Sequence, residues 1–194
     1  MTPDLSAFSN SWYHPGRSFG ARALWFFCGL PVLRSSLLPG SRARVALLRR
    51  FGARVGPGVV IKPGVRVKYP WLLRVGAHSW IGEDVWIDNL APVTLGDNVC
   101  VSQGAYLGTG NHDWTDPAFG LVVRPVVLED GAWVGARAVV CPGVTVGQCG
   151  VAAAGSVVTK PIPAHEIHGG NPAVFWRSRR IGHEDSADQP VLST

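Results

Sequence analysis

The chain has 194 residues, of which 16% are charged, 24 are glycine and 15 are proline. This length fits one domain with its own core and leaves no room for two full domains. The abundance of glycine and proline favours a β-rich fold with many tight turns. The net charge of +5 comes from arginines in the first third. No basic stripe interleaved with aromatic residues follows them, so we expect no nucleic-acid partner, whereas an anionic coenzyme or membrane surface suits this charge.

Residues 1–50 carry apolar side chains at helical spacing, in SFGARALWFFCGLP and SRARVALLRRFGA. The pattern predicts two short helices, which we interpret as a cap over the start of the following fold. The apolar run 23–33 has 11 residues, fewer than the ~20 needed to span a bilayer. A second interpretation is that Trp25, Phe26 and Phe27 attach the protein peripherally to the inner membrane surface.

The cysteines and histidines exclude other classes of site. The four cysteines form no CxxC pair and show no metal-ligand spacing, and no signal peptide with a cleavage site precedes them. We therefore expect a reduced, cytoplasmic protein. A histidine-bound zinc site needs three histidines that can meet, but His112 is the only histidine between His78 and His165. No metal is expected.

From residue 55 onward, an aliphatic or small residue recurs at every sixth position within blocks of three. The series is Val55, Ile61, Val67, Val75, Ile81, Ile87, Leu95, Val101, Leu107, Leu128, Val134, Val140, Val146, Ala152 and Val158. One such unit cannot bury its apolar side alone, so units must stack, and three of them make one triangular coil. The sequence therefore predicts a parallel β-solenoid of about five coils over residues 51–163.

The spacing between the coils places every insertion on one edge of the solenoid. The coils begin at residues 55, 75, 95, 128 and 146, so extra residues always follow the third side of a coil. The longest insertion, residues 108–126, contains GTGNHDWTDPAFG and interrupts the repeat with polar and aromatic residues. Because loops on a rigid scaffold often carry function, this edge is predicted to be the functional one.

The pattern [LIV]-G-x-x-[STAV]-x over five coils resembles that of the left-handed parallel β-helix acyltransferases. The stretch TGNHDWTDPAF is similar to the histidine loop of the maltose and galactoside O-acetyltransferases. The stretches WIDNLAPVTLGDNVCVSQGAYLGTGNHD, WVGARAVVCPGVTVG and GGNPA resemble the colanic-acid acetyltransferase branch. The resemblance implies an all-β, left-handed parallel β-helix, acetyl-CoA as co-substrate and a carbohydrate or lipid-linked sugar as acceptor. It also implies a homotrimer in which the loop of one subunit meets the last coils of its neighbour.

His112 is the candidate general base. A sugar hydroxyl attacks a thioester well only if its proton is removed, and an imidazole with an ordinary pKa of ~6.5 can accept that proton. Asn89 is the second catalytic candidate, because it ends the preceding coil near the loop and could orient the imidazole or hold the acceptor hydroxyl. Formation of an ordinary turn is the alternative for Asn89. The candidates for binding the acceptor are Asp88, Asp113, Trp114 and Asp116, with loop packing as the alternative.

The coenzyme-binding residues are assigned by the resemblance. Trp133 matches a tryptophan that the family places beside the acetyl and pantetheine end of the coenzyme, and Gly135 and Ala136 match the low wall along the pantetheine arm. Small residues that merely turn the corners of the solenoid are the alternative. The other candidates that match the family are Ala153, Ala154, Thr159 and Lys160. Where many relatives carry a basic residue directly after GNPA this chain has Val174, and Arg177, a little later, is the candidate in its place.

Together these features predict an O-acetyltransferase of exopolysaccharide or cell-surface polysaccharide biosynthesis. We expect direct transfer without an acyl-enzyme, because none of the four cysteines lies in the histidine loop. N-acetylation of an amino sugar and a non-catalytic scaffold of a polysaccharide assembly complex are the alternatives. Residues 164–194 form a C-terminal extension, whose polar end HEDSADQPVLST is expected to be disordered.

Overall fold

The computed structural model describes residues 2–38 and 40–182, and these form a triangular solenoid with three parallel sheets along its sides. Sheet A contains β1 (Arg54–Val55), β4 (Leu73–Val75), β7 (Val93–Leu95), β12 (Val126–Leu128) and β15 (Thr145–Val146). Sheet B contains β2 (Val60–Ile61), β5 (Trp80–Ile81), β8 (Cys100–Val101), β13 (Trp133–Val134) and β16 (Val151–Ala152). Sheet C contains β3 (Arg66–Val67), β6 (Trp86–Asp88), β9 (Tyr106–Gly108), β14 (Val139–Val140) and β17 (Val157–Val158).

The six-residue repeat produces this fold because each short strand places one aliphatic side chain inside. All fifteen residues of the predicted series are buried. In sheet B, Ile61 pairs with Ile81, Ile81 with Val101 and Val101 with Val134, so like residues stack from coil to coil. The parallel ladders satisfy the backbone between coils, and the stacked side chains supply the core. The predicted left-handed parallel β-helix is confirmed. Its five coils are followed by the start of a sixth, where Ile162 pairs with Val146.

The chain passes from sheet A to B, from B to C and from C back to A, and we name the resulting corners the AB, BC and CA edges. The AB and BC edges are short turns throughout. All the insertions lie on the CA edge, where β3 leads to β4 through a 3-10 turn (Pro70–Leu72) and β6 leads to β7. Between β9 and β12 the CA edge carries a hairpin of β10 (Gly110–His112) and β11 (Leu121–Val123).

The start of the first coil is covered by helices, as the sequence predicted. They are α1 (Phe19–Leu24), a π-helical turn (Trp25–Gly29), α2 (Leu30–Arg34) and α3 (Gly40–Arg50). In α3, Ser41 accepts a hydrogen bond from the Ile61 N–H (2.6 Å) and donates one to the Val59 carbonyl (3.2 Å). Side chains of the cap thereby satisfy backbone groups at the open end of the solenoid.

The structure contradicts one expectation about the cap. Trp25 was grouped with Phe26 and Phe27 as a membrane contact, but it is only 2% exposed. Its indole N–H donates to the Val67 carbonyl at 3.0 Å, and its ring packs against Phe51. Trp25 therefore belongs to the core beneath the cap, whereas Phe26 and Phe27 are exposed.

The chain ends its described part in an antiparallel pair that extends sheet B. The two strands are β18 (Glu166–Gly170), which pairs in parallel with β16, and β19 (Ala173–Ser178), which pairs antiparallel with β18. The tail predicted to be disordered, residues 183–194, lies outside the described residues. Within the described part of the chain, no helix is long and apolar enough to cross a membrane.

Candidate active site

The hairpin on the CA edge presents His112 at the end of its first strand. His112 pairs with Leu121 across the hairpin, and the Asp113 N–H donates to the Gly120 carbonyl at 2.8 Å. At the base, the Arg124 N–H donates to the Thr109 carbonyl at 2.9 Å. The histidine is therefore held by paired backbone, which orders it more firmly than the open loop that the sequence predicted.

The His112 ring is fixed through one nitrogen. Its Nδ1 lies 2.8 Å from the Phe119 carbonyl oxygen. Because a carbonyl only accepts hydrogen bonds, the neutral ring carries its proton on Nδ1, and the lone pair lies on Nε2. The Phe119 ring stacks on the imidazole with centroids 4.3 Å apart and planes at 8°, and Phe8 meets it edge-on at 5.5 Å. The half-buried ring is thus oriented with one basic nitrogen free of intramolecular partners in the described part of the chain.

An N-terminal strap, residues 4–15, runs along the CA edge from the hairpin towards the helical cap. The Asp4 N–H donates to the Pro117 carbonyl, and Phe8 contacts His112. Further along, the Tyr13 hydroxyl donates to the Leu90 carbonyl at 2.7 Å. Near its end, the Pro15 carbonyl accepts from the Trp71 indole N–H. The strap therefore touches three successive insertions and supplies one wall around the histidine.

The loop residues predicted to bind the acceptor have two different environments. The Asp113 carboxylate accepts from the N–H and the hydroxyl of Thr115, and these bonds lower its pKa. Asp116 accepts from the Ala118 and Gly120 N–H groups at 3.0 Å. Both carboxylates therefore hold the turn, as the loop-packing alternative supposed. Trp114 is 77% exposed, so its indole is the residue of this group with a free face.

Asn89 lies in the core and not in the candidate site. Its side chain is 0% exposed, its Oδ1 accepts from the Tyr69 N–H at 2.9 Å, and its Nδ2 donates to the Tyr69 carbonyl at 2.7 Å. These two bonds engage both ends of the amide and join two successive CA insertions. Because the side chain is buried and bonded to the Tyr69 backbone, we propose a structural role for Asn89 in place of the catalytic one.

Asp88 belongs to a polar cluster on the outer face of sheet C. Its carboxylate lies 2.9 Å from the Lys68 ammonium and accepts from the Tyr106 hydroxyl at 3.2 Å. Burial, together with the Asp88 charge, raises the pKa of Tyr106 to about 12. Asp88 is paired in register with Gly108, directly before the hairpin. The cluster therefore borders the base of the hairpin, and Asp88 remains a candidate for binding the acceptor.

The small residues assigned to the coenzyme lie on the BC edge. Gly135 leaves no room for a side chain, because a Cβ there would lie 2.5 Å from the Ala154 backbone nitrogen. One coil further, Ala153 is half-buried and Ala154 is exposed. Together with half-buried Ala136, they form a low ridge without large side chains. Beside it on sheet B, the Trp133 indole is 44% exposed and donates to the Ser102 hydroxyl at 2.9 Å.

The other coenzyme candidates are spread over two parts of the solenoid. Thr159 and Lys160 follow β17 on the CA edge, and both are exposed. They lie two coils beyond the hairpin, which corresponds to about 10 Å along the solenoid. Arg177 is exposed on β19 beside sheet B, where it pairs with Ile167.

One chain therefore does not bring its predicted residues together. His112, Thr159 and Lys160 lie on the CA edge, whereas Ala136 and Ala154 lie on the BC edge. A contact between the two groups requires the BC edge of a second copy. Within the part of the chain that the structure describes, no three His, Cys, Asp or Glu side chains are grouped to hold a metal ion.

Sequence reasoning missed Phe8, Phe119, Tyr13 and Tyr106. Phe8 and Tyr13 precede the repeat, and no local pattern links them to a loop about a hundred residues later. Phe119 contributes its backbone carbonyl and its ring. Its left-handed backbone conformation (φ 53°) could not be predicted, because bulky residues rarely adopt a positive φ. Tyr106 occupies an outward position of the repeat and is half-buried, and the residue in register with it on the preceding coil is the exposed Trp86.

Comparison with known proteins gives a consistent result. A family model described as hexapeptide repeat of succinyl-transferase matches residues 73–109 and 125–160. The putative colanic acid biosynthesis acetyltransferase WcaF of Escherichia coli K12 is 38% identical over 176 residues, which is 91% of this chain and 97% of that protein. The galactoside O-acetyltransferase of the same organism is 30% identical over 132 residues, 66% of this chain and 65% of its own length.

A solved structure has a similar fold. The hexapeptide-repeat acetyltransferase of Vibrio cholerae, in complex with acetyl coenzyme A, is 29% identical, with a TM-score of 0.74 over 84% of this chain and 88% of that one. By sequence over nearly its whole length and by fold, the chain belongs to the hexapeptide-repeat acetyltransferases.

Proposed function

We propose that the protein transfers an acetyl group from acetyl-CoA to a sugar hydroxyl, with His112 as the general base. The observation that carries this proposal is the hydrogen bond from His112 Nδ1 to the Phe119 carbonyl. It leaves the lone pair of the neutral ring on Nε2, as a base that accepts a hydroxyl proton requires. The same carbonyl then stabilises the imidazolium that forms, because it accepts a stronger hydrogen bond from the charged ring.

The acceptor oxygen forms its bond to the acetyl carbonyl carbon while its proton moves to Nε2 of His112. Removal of a proton by a positioned base contributes about 10² to 10⁴-fold to such a reaction. The C–S bond of the thioester then breaks, and the proton passes from Nε2 to the departing sulfur, so coenzyme A is released as a free thiol and the histidine returns to its neutral form. Direct transfer agrees with the state of Cys141, because burial raises the pKa of this thiol and so disfavours its thiolate.

Acetyl-CoA, when bound, supplies an activated acetyl thioester. The BC edge has the surface that a thin pantetheine chain needs, because Ala136, Ala153 and Ala154 leave the backbone accessible. The exposed Trp133 indole offers an apolar face beside this ridge, and its N–H is already paired with Ser102. Exposed Lys160 and Arg177 are the candidates for the phosphates of the coenzyme.

We propose a carbohydrate as acceptor, on the support of the relatives and of the hairpin. One relative is named for colanic acid biosynthesis and another for galactosides. In the hairpin, the exposed Trp114 indole offers a flat apolar face of the kind that packs on sugar rings. At its base, Asp88 and Tyr106 supply oxygen atoms that could bind hydroxyl groups.

The experiment is free-thiol release from acetyl-CoA with a panel of sugars, nucleotide sugars, amino sugars and lipid-linked oligosaccharides. We expect acceptor-dependent release that falls at least about 100-fold in the His112→Ala variant, on the scale of general-base removal. His78→Asn is the matched control, since this exposed histidine lies on the AB edge and asparagine tolerates its positive φ.

Each other outcome identifies a different error. Release with amino sugars alone would replace O-acetylation by N-acetylation. Release that is unchanged in His112→Ala would remove the histidine from the mechanism. If no acceptor supports release and acetyl-CoA does not raise the melting temperature, the protein is a scaffold and not an enzyme.

A further inference from the structure

The outer face of the helical cap exposes large apolar side chains that the core does not use. Phe19, Phe26 and Phe27 are 78%, 61% and 72% exposed. The opposite face of the same helical segment is already packed, because Trp25 and Leu33 are buried in the solenoid end. The exposed residues of this outer patch are Phe19, Leu24, Phe26, Phe27, Val32 and Leu37.

The part of the patch around Phe26 and Phe27 forms one continuous surface. Phe26 and Phe27 contact each other edge-on at 5.1 Å. Together with Leu30, Pro31 and Arg34 they line a groove of about 670 Å³, whose other lining residues include Ser35, Gly64 and Asp84. A contiguous exposed apolar surface of this kind marks a contact with a protein or a membrane.

The charge around the patch distinguishes between these two partners. Residues 1–82 contain twelve of the 18 lysines and arginines but only one of the 13 acidic residues, Asp4. Asp4 lies at the far end of the strap, beside Pro117, and Lys68 is paired with Asp88. The carboxylate at the patch itself is Asp84, which lines the groove together with Arg34. The capped end of the solenoid is therefore strongly basic, whereas the remaining 112 residues carry six basic and twelve acidic side chains.

We propose that the outer face of the cap binds the surface of an anionic lipid bilayer. Exposed aromatic rings suit the boundary between headgroups and acyl chains, and surrounding arginines are attracted to anionic headgroups. Contact between this face and the same face of a second copy would bring two basic surfaces together, which like-charge repulsion opposes. Contact with a different face of a second copy is an outcome of the test. This inference goes beyond the acetyl transfer and is independent of it.

The orientation follows from the fold. The helices cover the first coil, and the strap leads from this end to the His112 hairpin on the third coil. An attached cap therefore holds the CA edge at a fixed height above the bilayer, with the acidic later coils directed away from it. Attachment is peripheral, since the apolar side chains come from the exposed face of short helices that are anchored in the solenoid.

The test is sedimentation of the full chain with vesicles that contain phosphatidylglycerol, beside vesicles of pure phosphatidylcholine. We expect binding to the anionic vesicles that weakens as salt is raised. The Phe26→Ser/Phe27→Ser variant should lose at least about tenfold in binding, because it removes apolar groups from the interface. Arg34→Glu should reduce binding to anionic vesicles in particular. Ile181→Ser, which changes a residue that is 61% exposed outside the cap, should bind like the wild type.

Thermal unfolding and the mass in solution are measured for every variant. A melting temperature like that of the wild type shows that a loss of binding is not a loss of fold. The proposal is overturned if the intact protein does not bind anionic vesicles, or if the phenylalanine variant binds them equally well. It is also overturned if that variant loses subunits from its assembly, because the face would then be a protein interface.

Discussion

At the scale of single residues, Asn89 shows how an amide side chain can take the place of a missing strand. It exchanges two hydrogen bonds with the Tyr69 backbone, as a peptide group of a neighbouring strand would do. Its position falls on the CA edge, where the ladder of sheet C has ended and sheet A has not begun. The amide therefore continues the contact between coils through an irregular insertion.

Asn89→Ala is expected to destabilise the protein by about 1–3 kcal/mol, because it leaves the N–H and the carbonyl of half-buried Tyr69 without their side-chain partners. Urea unfolding measures the change, with Gln103→Ala on the exposed BC edge as the control. The folded fraction of the variant should retain acceptor-dependent thiol release. A variant that is as stable as the wild type but inactive would restore Asn89 to the catalytic site.

The sequence singles out His112 as a candidate base because it interrupts a regular repeat within a loop similar to a known one. Its tautomer could not be predicted, since the group that fixes the ring is the backbone carbonyl of Phe119. The contact with Phe8 was equally hidden, because residues 4–15 contain no repeat from which their course could be read. The sequence thus predicts a candidate reactive group but not the groups that orient its ring.

At the scale of the coil, the third residue after an inward residue takes a positive φ at the AB and BC edges. Asp84, Asn98, Arg137 and Cys149 are examples among residues other than glycine. This backbone conformation costs non-glycine residues about 1–2 kcal/mol. The solenoid tolerates the cost at its corners because the stacked strands on either side fix the turn. The inward residues and the stacked coils could be predicted because the six-residue period repeats both the inward residue and the turn that follows it.

Gly135→Ala tests how tightly the coils stack on the BC edge. We expect strong destabilisation, of about 2–4 kcal/mol, because backbone atoms of the next coil occupy the space of the new Cβ. Gly20→Ala in α1 is the matched control, since nothing lies within 4 Å of its Cβ position. This change should stabilise the helix by up to about 1 kcal/mol.

Chemical unfolding of both variants measures these effects. Equal stability of Gly135→Ala and the wild type would show that the coils can separate locally, and that Gly135 serves the coenzyme surface alone. In that case coenzyme binding should be impaired without any loss of fold.

At the scale of the whole molecule, the candidate residues occupy two edges of a triangular solenoid. His112 lies on the CA edge and the small-residue ridge on the BC edge, so a complete site needs two copies with unlike edges in contact. A head-to-tail contact of this kind closes into a ring when the rotation permits. The resemblance to the left-handed β-helix acyltransferases implies three subunits, and a ring of three is the arrangement we propose.

The proposed trimer predicts a mass in solution of about three times the chain mass of 20.7 kDa. Analytical ultracentrifugation measures it. A mixture of His112→Ala with a variant altered on the BC edge, Ala154→Trp, should regain activity after subunit exchange, because some sites then combine two intact edges. A monomer with full activity would contradict the two-edge site.

Because all the insertions lie on the CA edge, this edge is where such chains can gain or lose residues without disturbing the coils. Deleting one residue within a coil would turn every later side chain of that strand from inside to outside. Adding or deleting residues between β9 and β12 leaves both strands in register with their neighbours, because Leu107 and Leu128 are paired on separate sheets. Insertions and deletions can therefore accumulate at this edge, so descendants of one solenoid can acquire different acceptors while their coils remain superimposable.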